Sequence, residues 1–337
     1  MAMKQAVTHN AGRLSLAYLC LLAVVFLQAC AVLMPRERTF PGFVAVITDR
    51  HDTFTSLAAE YLNDPSKGWL ISEFNDLEAL APGQELIIPL TPQPRELVTP
   101  KGYQTVPIIA YHNFSRTSNA RMTVSAVAFD AQMKYLKDHG FHVISLETFF
   151  AFLNNTNRIP RKSIVITIDD GWRGTYEVAY PILKKYGYPA TLFLYTDLIT
   201  GSRKTLSWAQ TREMQANGID IQNHTKSHRN LAAAKAGESF AEYFAALEDE
   251  LTLSAQKIKK KLGVEVRYLA YPYGETTPLV IALLQKLGYR GAFTVTRGSN
   301  SFFVDRYRIA RSVIYGDMDM AAFADNLTTR SRRALQQ

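Results

Sequence analysis

The sequence predicts an α/β protein: a (β/α) barrel preceded by a small α+β domain. Three observations carry this. Strand-like and helix-like stretches alternate from residue 106 to residue 328, the signature of a largely parallel sheet. That length suits a barrel better than a small open sheet. Residues 41–90 form a separate block of different pattern, and a proline-bearing segment, 91–105, divides the two. The chain has 337 residues and is 47% hydrophobic, enough for a substantial core beside a small second one.

Taken in order, the chain opens with Lys4 and Arg13 ahead of an uncharged apolar run from Leu14 to Leu27. At 14 residues the run falls short of the roughly 20 needed for a membrane-spanning helix, and it has the form of a secretory leader. It ends in Leu27-Gln28-Ala29-Cys30, which resembles a bacterial lipoprotein signal. That resemblance implies a signal peptide over 1–29, a lipid on Cys30 and a protein anchored to a membrane rather than spanning it. Ala31, where an Asp commonly retains such proteins at an inner membrane, leans toward the periplasmic face of an outer membrane. Cys20 is the only other cysteine, so no disulfide is expected.

In the first block, Phe43–Ile47 reads as a strand, Asp52-Thr53 as a helix start, Ile71 to Asn75 as a second helix and Glu85–Pro89 as a closing strand. Asp52-Thr53, Leu57-Ala58, Phe74-Asn75 and Pro82-Gly83-Gln84 through Pro89 resemble a LysM module, with His51 where a glycine is usual. That implies affinity for N-acetylglucosamine glycans. The net charge of +8 contains no basic run interleaved with aromatics, so no nucleic-acid partner is expected.

In the larger part, strands are expected at Val106–Ala110, Ser163–Ile168, Ala190–Tyr195, Ile219–Gln222, Arg267–Ala270 and Gly291–Val295. Helices are expected at Ala126–His139, Gly174–Tyr186, Trp208–Asn217, Gly237–Lys261 and Pro278–Leu287. Polar groups follow four of the strands: Tyr111-His112, Asp169-Asp170-Gly171, Asn223-His224 through His228, and Tyr271-Pro272-Tyr273-Gly274. Strand C-terminal ends form one rim of a barrel, where catalytic groups gather. His224 and His228, four residues apart, can face one cation, and an aspartate from the Asp169-Asp170 pair completes two imidazoles and a carboxylate. The remaining carboxylate is then free to act as a base.

These motifs resemble those of the polysaccharide deacetylases, carbohydrate esterase family 4 with the NodB-like domain. Thr167-Ile168-Asp169-Asp170-Gly171 is similar to the family's Thr-Phe-Asp-Asp-Gly, and His224-Thr225-Lys226-Ser227-His228 to its His-Ser/Thr-x-x-His. Tyr271-Pro272-Tyr273-Gly274 is similar to the end of Arg-x-Pro-Tyr, and Leu206-Ser207-Trp208 to its Leu-Thr-Trp. The resemblance implies Asp170, His224 and His228 as ligands of a divalent metal, zinc first, with cobalt or nickel as alternatives. It implies Asp169 as the base and Tyr273, Pro272 and Trp208 as substrate or oxyanion contacts.

Two departures stand out. The family's base-orienting Arg falls at Ala270, and Arg308-Ile309-Ala310-Arg311 occupies the region where a Leu-x-His is usual. Both occur in a subgroup resembling the poly-β-1,6-N-acetylglucosamine deacetylases, which begins with a segment like Val106 to His112 and implies His112 as the acid. The expected function is de-N-acetylation of an exported polysaccharide of that type, with an envelope export system as a fitting partner. Peptidoglycan deacetylation and an inactive glycan-holding scaffold are the alternatives.

Overall fold

The computed structural model describes residues 36–75, 77–90, 98–99, 102–154 and 156–331. The leader, Cys30 and residues 91–97, 100 and 101 of the expected linker lie outside the described residues. Two compact units fall on either side of Pro94.

In the first unit, strand Phe43–Ile47 pairs antiparallel with Glu85–Pro89 and also with Glu37–Phe40, a strand the sequence reading did not contain. Thr53 and Ser56 form a reciprocal cap that starts helix Phe54–Leu62, and Asn63 ends it in the left-handed region. Gly68 opens the second helix, Gly68–Asn75, where a Cβ would lie 2.9 Å from the backbone of Phe54. The helices approach this closely only because that side chain is absent. Asn75 ties helix to strand by donating to Ile87 O and accepting from Ile87 N, at 2.8 and 2.9 Å. Val44, Val46, Leu57, Ile71, Leu86 and Ile88 are buried between sheet and helices, each worth about 1.5–3 kcal/mol.

The second unit is built on six parallel strands in the order Gly102–Tyr111, Ser163–Asp170, Ala190–Leu194, Ile219–Asn223, Tyr268–Ala270 and Gly291–Phe293. Helices surround them, and this is the distorted (β/α) barrel. The first strand begins at Gly102 rather than Val106, because Tyr103 and Gln104 pair with Val98, Arg330 and Ser331. The last four residues assigned to the linker therefore belong to the barrel.

The C-terminal segment joins the two edges of the sheet. Ile309 bridges Phe293, while Ser312 and Val313 pair with Ile109 and Ala110. Arg311 lies between these two pairings. Strand Ser163–Asp170 is buried along its whole length, which explains its unbroken apolar start. Val165 packs with Val106, Ile108, Phe193 and Phe293, whereas Ile164, Ile166 and Ile168 join the cluster that includes Leu136 and Leu183 of the surrounding helices. Strand alternation puts Thr167 and Asp169 on the face of Val165.

Three local features differ from the sequence expectation. Leu146–Leu153 is a helix the sequence reading did not contain: it buries Leu146, Phe149, Phe150, Phe152 and Leu153, leaves Glu147 exposed, and at eight residues is too short for its period to stand out. The helix expected from Gly174 starts as a wide turn over Thr175–Ala179 and becomes regular at Tyr180–Tyr186. Pro181 lacks the N–H that a continuous α-helix would use there. The helix expected from Gly237 starts at Phe240, capped by Ser239, runs 23 residues and buries Tyr243, Leu247, Leu251 and Ile258.

Candidate metal and catalytic site

A cavity of about 460 Å³ opens over the C-terminal ends of the strands. His112, Asp169, Asp170, His224, His228 and Tyr273 all line it. Five non-glycine residues among those described have positive φ, and four of them are here: Asp170, Thr225, His228 and Tyr273. Each costs about 1–3 kcal/mol, and strain concentrated at one rim marks functional backbone.

Asp170 shows what the strain does. Alternation would aim its side chain away from the cavity, opposite to Asp169. With φ at 80° the carboxylate turns to the rim instead. Its Oδ1 then lies 3.6 Å from Nε2 of His224 and 3.6 Å from Nε2 of His228. The other oxygen, Oδ2, accepts from the Trp172 indole at 2.8 Å. Oδ1 itself is buried and has no hydrogen-bond partner among the described residues. An orphaned buried carboxylate oxygen is costly unless something else meets it.

The imidazoles are prepared in the same sense. Ala270 O can only accept, so His224 donates to it from Nδ1 at 2.7 Å and presents the Nε2 lone pair to the cavity. Burial lowers the His224 pKa, against the pull of Asp169 and Asp170, and so favours the neutral ring that a metal requires. Donor atoms of Asp170, His224 and His228 lie within 4.8 Å of one another. Two atoms bound to one tetrahedral zinc stand roughly 3.4 Å apart. The residues present fit a divalent ion.

Asp169 is held differently. Arg311 is fully buried and grips the carboxylate with two parallel bonds of 2.8 Å, Nη1 to Oδ1 and Nη2 to Oδ2. Nη1 also donates to Thr167 Oγ1 at 3.2 Å and Nε to Thr294 O at 3.0 Å. The guanidinium faces the rings of Phe193 and Phe293. Burial is the largest single influence and would raise the Asp169 pKa, but Arg311, His224 and His112 together outweigh it, and the group is brought down to about 2. Asp169 is therefore ionised at any working pH, with its orientation fixed.

The remaining expected residues divide. His112 is half-buried at the cavity wall, and its Nδ1 has no hydrogen-bond partner among the described residues. Tyr273 has φ 61° and a 62% exposed side chain, its ring 4.8 Å from that of His228. Gly274 beside it has φ 75°, and a Cβ there would strike the Val295 backbone at 2.6 Å. Pro272 is buried in the same turn and does not line the cavity. Trp208 also stays away. It is the first residue of helix Trp208–Ala216, follows the cap Ser207 and packs half-buried on the main core. Trp172 is the tryptophan at the site.

Sequence reasoning missed Arg311 and Trp172. Trp172 stands two residues past Asp170, close enough in the chain to have been a candidate. The signal for Arg311 was an arginine set among Ile309, Ala310, Val313 and Ile314.

Residues 156–292 match the family model for polysaccharide deacetylase. A putative polysaccharide deacetylase of Bacillus subtilis, YxkH, is 28% identical over 218 residues, covering 65% of this chain and 74% of the relative. A poly-β-1,6-N-acetyl-D-glucosamine N-deacetylase of Staphylococcus aureus is 28% identical over 198 residues, 56% of this chain and 68% of its own. Among solved structures, the Streptococcus pyogenes deacetylase PplD in complex with acetate superposes with a TM-score of 0.60 at 28% identity, covering 66% of this chain and 98% of its own.

Proposed function

We propose that this chain, a hydrolase carrying a polysaccharide deacetylase domain, is a metal-dependent enzyme that removes N-acetyl groups from an exported polysaccharide of the poly-β-1,6-N-acetylglucosamine type. The observation that carries the chemistry is the pairing of an orphaned Asp170 Oδ1, facing two imidazole nitrogens, with an Asp169 carboxylate locked by Arg311. The substrate class is supported by the likeness to the staphylococcal poly-β-1,6-N-acetyl-D-glucosamine N-deacetylase.

Asp170, His224 and His228 would hold the ion. When bound, such an ion polarises the acetamide carbonyl and lowers the pKa of water. Asp169 takes a proton from the attacking water. Its pKa of about 2 makes it a weak base in isolation, so its contribution comes from fixed position rather than basicity. The Tyr273 turn offers a backbone N–H to the tetrahedral oxyanion. His112, in its protonated form, gives a proton to the departing amine, which is a poor leaving group without one. The products are acetate and a free amino sugar.

The same reading takes residues 41–90 as a LysM-like glycan-binding module. Cys30 is the lipid attachment point, and the protein sits on the periplasmic face of an outer membrane beside a polysaccharide-export system. These proposals rest on sequence resemblance. The LysM likeness also favours peptidoglycan as a second substrate reading.

The test is acetate release by purified protein from poly-β-1,6-N-acetylglucosamine oligomers and from peptidoglycan, with and without a chelator. Chelator-sensitive release from the oligomers is expected. Release from peptidoglycan alone would move the substrate, and chelator-insensitive release would reject the metal.

A further inference from the structure

The two candidate ligand histidines are anchored in different ways. His224 directly follows strand Ile219–Asn223, with its N–H on Leu194 O at 2.8 Å and its ring on Ala270 O. His228 comes after an irregular turn, with φ of 72° at Thr225 and 65° at His228. Two strained residues so close together persist only if the surroundings hold them. Asn223 Oδ1 accepts the Thr225 N–H at 2.9 Å, and Thr225 Oγ1 accepts the His228 N–H at 3.1 Å. The two N–H groups between them, of Lys226 and Ser227, both donate to one atom, Glu250 Oε2, at 3.0 and 2.8 Å. The Ser227 hydroxyl donates to Glu250 Oε1 at 2.5 Å. Glu250 is 7% exposed and sits midway along helix Phe240–Leu262.

We infer that Glu250 is a positioning residue of the metal centre. Its carboxylate fixes the 225–227 turn, and through that turn the place of His228 Nε2. The inference rests on the reading of Asp170, His224 and His228 as a metal-binding set. Glu250 does not line the cavity, so it acts through the turn alone. A buried carboxylate is costly to desolvate, and here three donors converge to offset that cost. Without it, two amide N–H groups lose their acceptor and the turn can relax out of the left-handed region. His224 keeps both of its anchors, so the loss falls on His228.

Glutamine discriminates the roles. Its single oxygen can accept both amide N–H groups, and its NH₂ can donate to Ser227 Oγ. Aspartate keeps the charge and loses the reach. The experiment measures zinc dissociation constants of the full chain and of Glu250→Ala, Glu250→Gln and Glu250→Asp, by competition with a chromophoric chelator. Thermal unfolding of each metal-free protein is followed alongside. Glu250→Ala and Glu250→Asp are expected to bind zinc about ten- to a hundredfold more weakly, and Glu250→Gln to recover most of that. His228→Ala sets the loss for removing the ligand itself. If Glu250→Ala does not fold, Glu250→Asp against Glu250→Gln decides the matter. Wild-type zinc affinity in folded Glu250→Ala or Glu250→Asp overturns the inference, whatever their unfolding temperatures. A wild-type chain that binds no zinc rejects the metal centre itself, and the inference with it.

Discussion

The barrel sheet has a cavity at each end. One lies at the strand starts, measures about 490 Å³ and is lined by Tyr268, Arg290 and Arg306 together with Glu147 and Phe150 of helix Leu146–Leu153. The other, about 460 Å³, lies over the strand ends. By size they are equivalent, but their walls are not. At the strand starts the charged groups Glu147, Arg290 and Arg306 are exposed to water, and Arg306 donates to Leu153 O at 3.3 Å. At the strand ends Asp169 and His224 are almost wholly buried, and oxygen or nitrogen atoms of Asp170 and His112 are orphaned. Volume therefore does not mark the site. Buried polar groups that converge and stay unsatisfied do, because a fold bears their cost only where they are used.

The strongest way to break this contrast is Asp169→Asn. Asparagine has the same shape but cannot take a proton. Turnover is expected to fall about 10²- to 10⁴-fold. Zinc affinity should stay close to wild type, because Asp170, His224 and His228 are untouched. A mutant that keeps near-wild-type turnover would remove Asp169 as the base.

Arg311→Met is the next largest change, and it reads out first in stability. It leaves the Asp169 carboxylate buried and unpaired, which costs about 3–5 kcal/mol. Urea unfolding of the metal-free protein measures this directly. Arg311→Lys keeps the charge but cannot form the two parallel bonds, so it should retain more stability than Met while still losing activity. Equal stability of all three proteins would mean that the pair carries no structural weight.

Arg311 also shows where the sequence stops being legible. The alternating strands, the rim motifs and the helix caps are local patterns: Asp169-Asp170-Gly171 and His224 to His228 each lie within five residues. The partner of Asp169 lies 142 residues further on, in a segment brought to it by edge pairing of the sheet. No spacing rule connects them. Ala270, where the family that the motifs resemble has an arginine, reads in sequence as a loss, whereas in the fold Arg311 grips Asp169. Trp208 fails for the opposite reason. Its motif context is good, but its place at a helix start turns it into the core. Helix Leu146–Leu153 was hidden because eight residues make just over two turns, and so short a mostly apolar run cannot be told from a strand by its period.

Trp172→Phe sharpens the contrast by a smaller step. It keeps the aromatic wall and deletes only the indole N–H that holds Asp170 Oδ2. With one anchor gone the carboxylate can rotate, and zinc affinity is expected to drop about tenfold. Unfolding of the metal-free protein should barely change. An unchanged zinc constant would show that the left-handed backbone at Asp170 orients the carboxylate without help.

The smallest effect is expected at the strand starts. Arg290→Ala with Arg306→Ala removes the two cations of the larger cavity. Both side chains are exposed, so most of their solvation survives in the wild-type fold and little stability is at stake, about 0.5 kcal/mol or less at each. The Leu153 carbonyl that Arg306 covers can turn to water. Acetate release and zinc affinity should both match wild type, because neither arginine is within the set that lines the cavity over the strand ends. A large fall in turnover on a polymer, with short oligomers unaffected, would break the comparison from the other side. It would mean that the exposed arginines touch a chain long enough to reach both ends of the barrel, and that convergence of buried groups marks the chemistry but not the whole binding surface.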